Sequence, residues 1–254
     1  MSAGIILRNE PTVGRLRIPL RLNWTGPHGS RPVPQRRIRA SKRGPTPALP
    51  EVFHGNGYHA NGSAGVPFDF SAHMRRLCAA IVSRCEAFYP IDVNRILFTV
   101  SQNRKARRHG LQAKVTPMRF HGGAIIHQRG DRLYQVQRYW VEGVELLYVM
   151  TFCLPRFLDQ SFEQKLVTVF HELYHIAPEF NGDLRRHDGR CSIHTRSKKS
   201  YDRHMAGLVR EYLHSGSDPA LHAFLRLNFQ QIEERHGQLY GLSIPTPKLV
   251  PIQD

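Results

Sequence analysis

The residues of this chain best spaced for chemistry are His171, Glu172 and His175, in the run His-Glu-Leu-Tyr-His. On a helix, positions i and i+4 share one face, so both imidazoles can reach a single zinc ion. Glu172, beside the first histidine, can reach a water in an open coordination position and serve as its general base. The metal would lower the pKa of that water and polarise a carbonyl. That is the chemistry of metal-assisted hydrolysis. Five residues alone also occur as a charged stripe on a surface helix, so the flanks decide. Val167, Thr168, Val169 and Phe170 precede the run, Leu173, Tyr174, Ile176 and Ala177 fill it, and no other charge lies between Lys165 and Glu179. Ionisable side chains on a half-buried helix are disfavoured unless they are used.

Catalytic zinc normally takes three protein ligands and one water. The segment Glu179–Ser200 offers Asp183, His187, Asp188, Cys191 and His194, and the next helix adds Asp202 and Glu211. His194 ranks first, because it lies just before the helix expected to begin near Ser197 to Tyr201. His187 is the runner-up. Its neighbours Arg185, Arg186 and Arg190 set up a positive field that Asp183 and Asp188 would have to offset. Asp183 could instead orient a ligand histidine from behind. Cys191 as a ligand would imply a closed, structural zinc. Tyr174 and Tyr201 are candidates to stabilise a developing oxyanion, Tyr174 being equally suited to core packing.

The elements that must position these residues follow from periodicity. Phe70, Met74, Leu77, Cys78, Ile81, Val82 and Cys85 recur at helical spacing, predicting an amphipathic helix that ends before Tyr89-Pro90. Ile96–Val100 reads as a buried strand, with further strands over 111–120, 133–141 and 144–154, the last closed by Pro155. Ser161 with Gln164 three residues on predicts a capped helix start. That helix should run to about Ala177, where Pro178 stops it. Met205, Leu208, Val209, Tyr212 and Leu213 mark a helical face over 201–214, and a last helix is expected from Ala220 to about Arg235. The fold class is therefore α+β: an N-terminal helix, a three- or four-stranded mostly antiparallel sheet, the His-Glu helix, and C-terminal helices. The domain spans 67–240, between a basic, Pro/Gly-rich tail over 1–66, expected to be disordered, and an extended Pro-rich tail over 241–254.

Charge narrows the partners. The chain of 254 residues carries 36 Lys and Arg against 20 Asp and Glu, a formal net charge of +16. Residues 1–66 hold 10 of the basic and 2 of the acidic side chains, so a quarter of the length carries half the excess. That tail, and the run Arg104, Lys105, Arg107 and Arg108, are candidates for binding nucleic acid by counterion release. The tail has almost no aromatic residues on which bases could stack. The longest apolar stretch, Leu146–Leu154, is too short to cross a bilayer, which excludes a membrane-spanning protein. No secretory signal is evident at the N-terminus. Four cysteines in a chain this long make no disulfide framework, so reduced thiols and a cytoplasmic location are expected.

The block Leu154–Asp159 through Phe170–Ile176, followed by Phe180–Arg190, resembles the phage-type zinc metallopeptidase family, itself similar in outline to SprT-like and minimal gluzincin proteases. The resemblance covers about residues 67–215, with 154–205 its specific part. Thr168, three before the first histidine, and the uncharged neighbours match the extended signature of zinc metallopeptidases. The metzincin extension is excluded, because it requires Gly at 178 and His at 181, where this chain has Pro178 and Asn181. The resemblance implies a small zincin fold, zinc on His171 and His175, Glu172 as base, and an edge strand beside the helix that holds substrate backbone. The leading expectation is a zinc-dependent endopeptidase acting on a protein or peptide. The alternatives are a DNA-associated protease of the SprT-like kind, and a non-catalytic basic nucleic-acid-binding module merely braced by zinc.

Overall fold

The computed structural model describes residues 21–24, 31–32, 35–39, 48, 65–102, 110–186 and 198–252. The first helix, α1 (Phe70–Val82), starts where Asp69 accepts the Ala72 N–H at 3.0 Å. Phe70, Met74, Leu77, Cys78 and Ile81 are completely buried along one face, as their spacing predicts. The helix ends before Tyr89-Pro90 as expected, just short of the last patterned residue, Cys85: Ser83 turns its hydroxyl back onto the Ala80 carbonyl, and a short 3-10 turn, Glu86–Phe88, follows.

The core sheet has three strands, with Tyr148–Leu154 in the middle, Ile96–Gln102 on one side and Ala113–Pro117 on the other. The middle strand pairs in parallel with Ile96–Gln102 and antiparallel with Ala113–Pro117. The sheet has the expected number of strands, but it is mixed and not mostly antiparallel, with one parallel and one antiparallel pair. The parallel pair requires a crossover, and residues 110–147 supply it. Thr99 and Thr151 stand opposite one another with their hydroxyls 2.8 Å apart, which satisfies both within the buried sheet.

Two expected strands are each split in the crossover. Arg132–Val136 forms a hairpin with Ile126–Arg129, and Leu249–Pro251 joins its other edge. Tyr139–Val141 turns through Glu142 and Gly143 to pair with Val144–Glu145, and also pairs with Arg21–Trp24. A half-buried ion cluster ties this region to the core: Arg119 and Arg138 both donate to Glu145 Oε1 at 2.6 Å.

The N-terminal quarter departs from the expected absence of regular structure at three places. Arg21–Trp24 and Arg31–Pro32 pair with each other, and Gln35–Ile38 pairs with Leu239–Leu242. Ile38 supplies the reason, because its side chain is completely buried in the main core. Leu239–Leu242 in turn runs parallel to Phe68–Asp69, so this small sheet joins segments from both ends of the chain.

Helix α2 (Phe162–Tyr174) carries the capping box expected of Ser161 and Gln164. It buries Leu166, Val169, Phe170 and Leu173, and it packs against α3 (Lys198–His214). Tyr201, Met205, Val209 and Tyr212 form the buried stripe of α3. The single helix expected over 220–235 is broken into α4 (Pro219–His222), a 3-10 turn Ala223–Arg226, and α5 (Phe229–His236). The break is tertiary in origin. Lys165 of α2, itself buried, donates to the carbonyls of Leu225 and Leu227 at 2.9 and 2.7 Å, and Asn228 then caps α5. No helix among the described residues is long and apolar enough to cross a membrane.

Candidate metal centre

Helix α2 ends at Tyr174, one turn of sequence before Pro178, and His175 is its C-cap with helical φ and ψ. The i, i+4 geometry thus persists through the last residue of the motif. The Nε2 atoms of His171 and His175 approach to 2.8 Å. Two nitrogens bound to one tetrahedral zinc at about 2.0–2.1 Å lie about 3.3 Å apart. A small rotation of either ring would open the pair to that separation. Both donors are imidazoles, borderline ligands that suit zinc.

The ring of Tyr201 from α3 packs on both imidazoles, its centroid 4.9 Å from that of His171 and 6.3 Å from that of His175. Its hydroxyl is buried. Tyr174 is the last residue of α2. It lies against Tyr201 and His204, and the Arg185 guanidinium covers its ring at 4.1 Å. Of the two tyrosines the sequence offers, Tyr201 is the one beside the histidines.

Glu172 is almost completely buried, and burial pushes its carboxyl up to about 7, against a lowering by a hydrogen bond from the backbone of Val115. Val115 belongs to Ala113–Pro117, the outer strand of the core sheet. The acid therefore bridges the helix and an open sheet edge, and periodicity in either element alone does not show this contact.

After the motif the chain turns sharply and returns alongside the helix end. Ile176 and Leu184 form an isolated antiparallel bridge. The Arg185 N–H donates to the His175 carbonyl at 2.7 Å, and the Arg185 side chain donates to the Tyr174 carbonyl at 2.8 Å. One residue thus caps two of the carbonyls that a helix end leaves open. The Tyr148 hydroxyl from the middle strand accepts the Gly182 N–H and donates to the Asp183 carbonyl, which pins the turn to the sheet. Gly182 sits at φ +90°, and a Cβ there would meet Arg119 Cγ at 2.5 Å.

The Asp183 carboxylate is committed to this turn. It accepts from the amides of Gly122 and Leu184 and from Arg186, and lies 3.3 Å from Nδ1 of His121. Burial alone would raise its pKa, but these partners outweigh burial and hold it below the ordinary carboxylate range. It orients neither His171 nor His175 directly. Its influence reaches them through the backbone of residues 183–185. His121 and Arg185 carry no motif signal, and their roles become visible only once the turn is placed.

His194, His187, Asp188 and Cys191, and with them the question of the third ligand, lie outside the described residues. So do Arg104, Lys105, Arg107 and Arg108. Among the described residues no three His, Cys, Asp or Glu side chains are grouped to hold a metal. What those residues offer is a pair of convergent imidazoles. No family model, curated protein or solved structure matches the chain.

Proposed function

We propose that the chain is a zinc-dependent metallopeptidase whose centre is built on His171, Glu172 and His175. The observation that carries this reading is the convergence of the two Nε2 atoms, with the motif's carboxylate held between the same helix and an open strand edge. A helix stripe with no function has no need to turn a carboxylate into the protein. A zinc ion held by His171 and His175 would supply Lewis acidity toward a carbonyl and toward water. The rest of the work belongs to the chain.

Glu172 takes the proton of the attacking water and returns it to the leaving amine, a role open to a carboxylate adjacent to the ligand pair. Apart from the Val115 N–H, which donates to Glu172, Ala113–Pro117 offers its outer backbone groups to an extended peptide, which would lie beside α2. Tyr201 limits the rotation of both imidazoles and so keeps the pair convergent.

Replacing Glu172 by Gln keeps size and hydrogen bonding while removing the base. Zinc content per chain, measured by elemental analysis, should match the wild type, and hydrolysis of an unstructured protein substrate should fall at least about hundredfold. His171→Ala and His175→Ala should each lose the metal. Undiminished hydrolysis by the Gln variant would overturn the mechanism, and a wild type that takes up no zinc would overturn the centre itself.

A further inference from the structure

The strand Gln35–Ile38 brings a basic stretch of the N-terminal quarter onto the folded body. It is the outer strand of the sheet shared with Leu239–Leu242 and Phe68–Asp69. Ile38 anchors it, while Arg36, Arg37 and Arg39 are all exposed. None of these three takes part in an ion pair among the described residues, so their charge is not neutralised there by a described carboxylate. The end of the strand is fastened to the core sheet, because the Gln102 side-chain amide donates to the Arg39 carbonyl at 2.8 Å. Gln102 is the last residue of Ile96–Gln102. Two segments more than sixty residues apart are thereby joined at one place on the surface.

We infer that the exposed Arg36, Arg37 and Arg39 form a docking surface for the phosphate backbone of a nucleic acid, Arg37 and Arg39 lying on the strand face opposite Ile38 and Arg36 on the face of Ile38. Alternate residues of an extended segment, here Arg37 and Arg39, are spaced by about 6.8 Å, a separation from which two long side chains can reach neighbouring phosphates. Arginine presents a planar fork of donors that suits phosphate oxygens. The face lies on an edge strand, where no further protein strand covers it among the described residues. Contacts of this kind position a nucleic acid without reading its sequence. The net charge of +16 adds a long-range attraction that brings the polyanion to the face. The inference is independent of the proposed peptidase, and the Glu172→Gln variant should bind as the wild type does.

The test uses the full chain and a fluorescent 20-mer, single- and double-stranded, titrated at several salt concentrations. The variant R36Q/R37Q/R39Q is compared with R129Q/R132Q/K248Q, which removes the same charge from exposed positions on the hairpin sheet. The first should lower affinity at least about tenfold near 0.1 M salt and make the slope of log K against log salt shallower by about 2–3. The second should change both much less. Thermal denaturation checks that each variant folds, and single Arg37→Gln, with an expected slope change of about 1, serves if the triple variant does not. Equal effects of the two triple variants would reduce the face to net charge and overturn the proposal. Absence of salt-dependent binding, or equally tight binding of polyglutamate, would also overturn it.

Discussion

Asp183 shows how a residue outside the motif can govern it. Its carboxylate satisfies two backbone amides and Arg186, and the turn it holds delivers Arg185 to the carbonyls of Tyr174 and His175. Removing a buried acceptor leaves donors unpaired at about 1–3 kcal/mol each. Asp183→Ala should therefore lower the melting temperature and, on the proposed zinc centre, weaken zinc binding, while Asp183→Asn, which keeps one acceptor oxygen, should do less of both. Isothermal titration with zinc alongside thermal denaturation checks this. Loss of stability with zinc affinity unchanged would separate the turn from the histidines.

At the scale of elements, the contact between α2 and the segment after α4 is the most specific. Burial lowers the Lys165 pKa from 10.5 to about 8, against an opposing rise from Asp159. Between those values the unfolded chain binds more protons than the folded one, so this group's contribution to stability rises with pH over about 8 to 10.5. Its neutral amine still donates to Leu225 and Leu227. Lys165→Met should leave both carbonyls unpaired and remove the alkaline rise, so the gap in melting temperature between wild type and variant should widen from pH 7.5 to 10. A gap that narrows would contradict the assignment. The sheet that closes the two ends of the chain has a comparable point in Gly241, where a Cβ would lie 2.6 Å from Val100 Cγ1 and 3.2 Å from Ser71 Oγ. Valine is stiff at χ1 and cannot swing aside. Gly241→Ala should cost about 1–3 kcal/mol in chemical denaturation, as overpacking does.

For the whole molecule, the buried titratable groups set the response to acid. Burial lowers the pKa of His222 and of His236. Each binds fewer protons folded than unfolded, so the contribution of these two groups to stability should fall as the pH drops below about 6.5. The Glu145 carboxyl, which burial would raise, is held below its ordinary range by Arg138 and Arg119, and Asp183 is likewise depressed. Their contribution is present above about pH 4 and is lost as the pH falls through their folded values. The Glu172 carboxyl, pushed up to about 7, and the raised Asp159 carboxyl act in the opposite sense, so each contribution is read as a difference in melting temperature from the wild type. His236→Asn should lose less stability than the wild type as the pH drops below about 6.5, and Glu145→Gln should lose less below about pH 4.

Local pattern was enough to reveal α1, the start of α2 at Ser161, the stripe on α3 and the pairing of His171 with His175, because helix period and capping are set by residues three and four apart. The α+β class followed from the same signals. Tertiary structure decided what depends on residues distant in the chain. Lys165 splits the last predicted helix by drawing off two of its carbonyls, and Val115 supplies a partner for Glu172. Buried Ile38 turns part of the expected tail into a strand, and the central sheet is mixed because its middle strand is reached by a crossover. Nearest-neighbour chemistry is written into the order of the residues, whereas a buried hydrogen bond across sixty positions exists only once the chain has closed on itself.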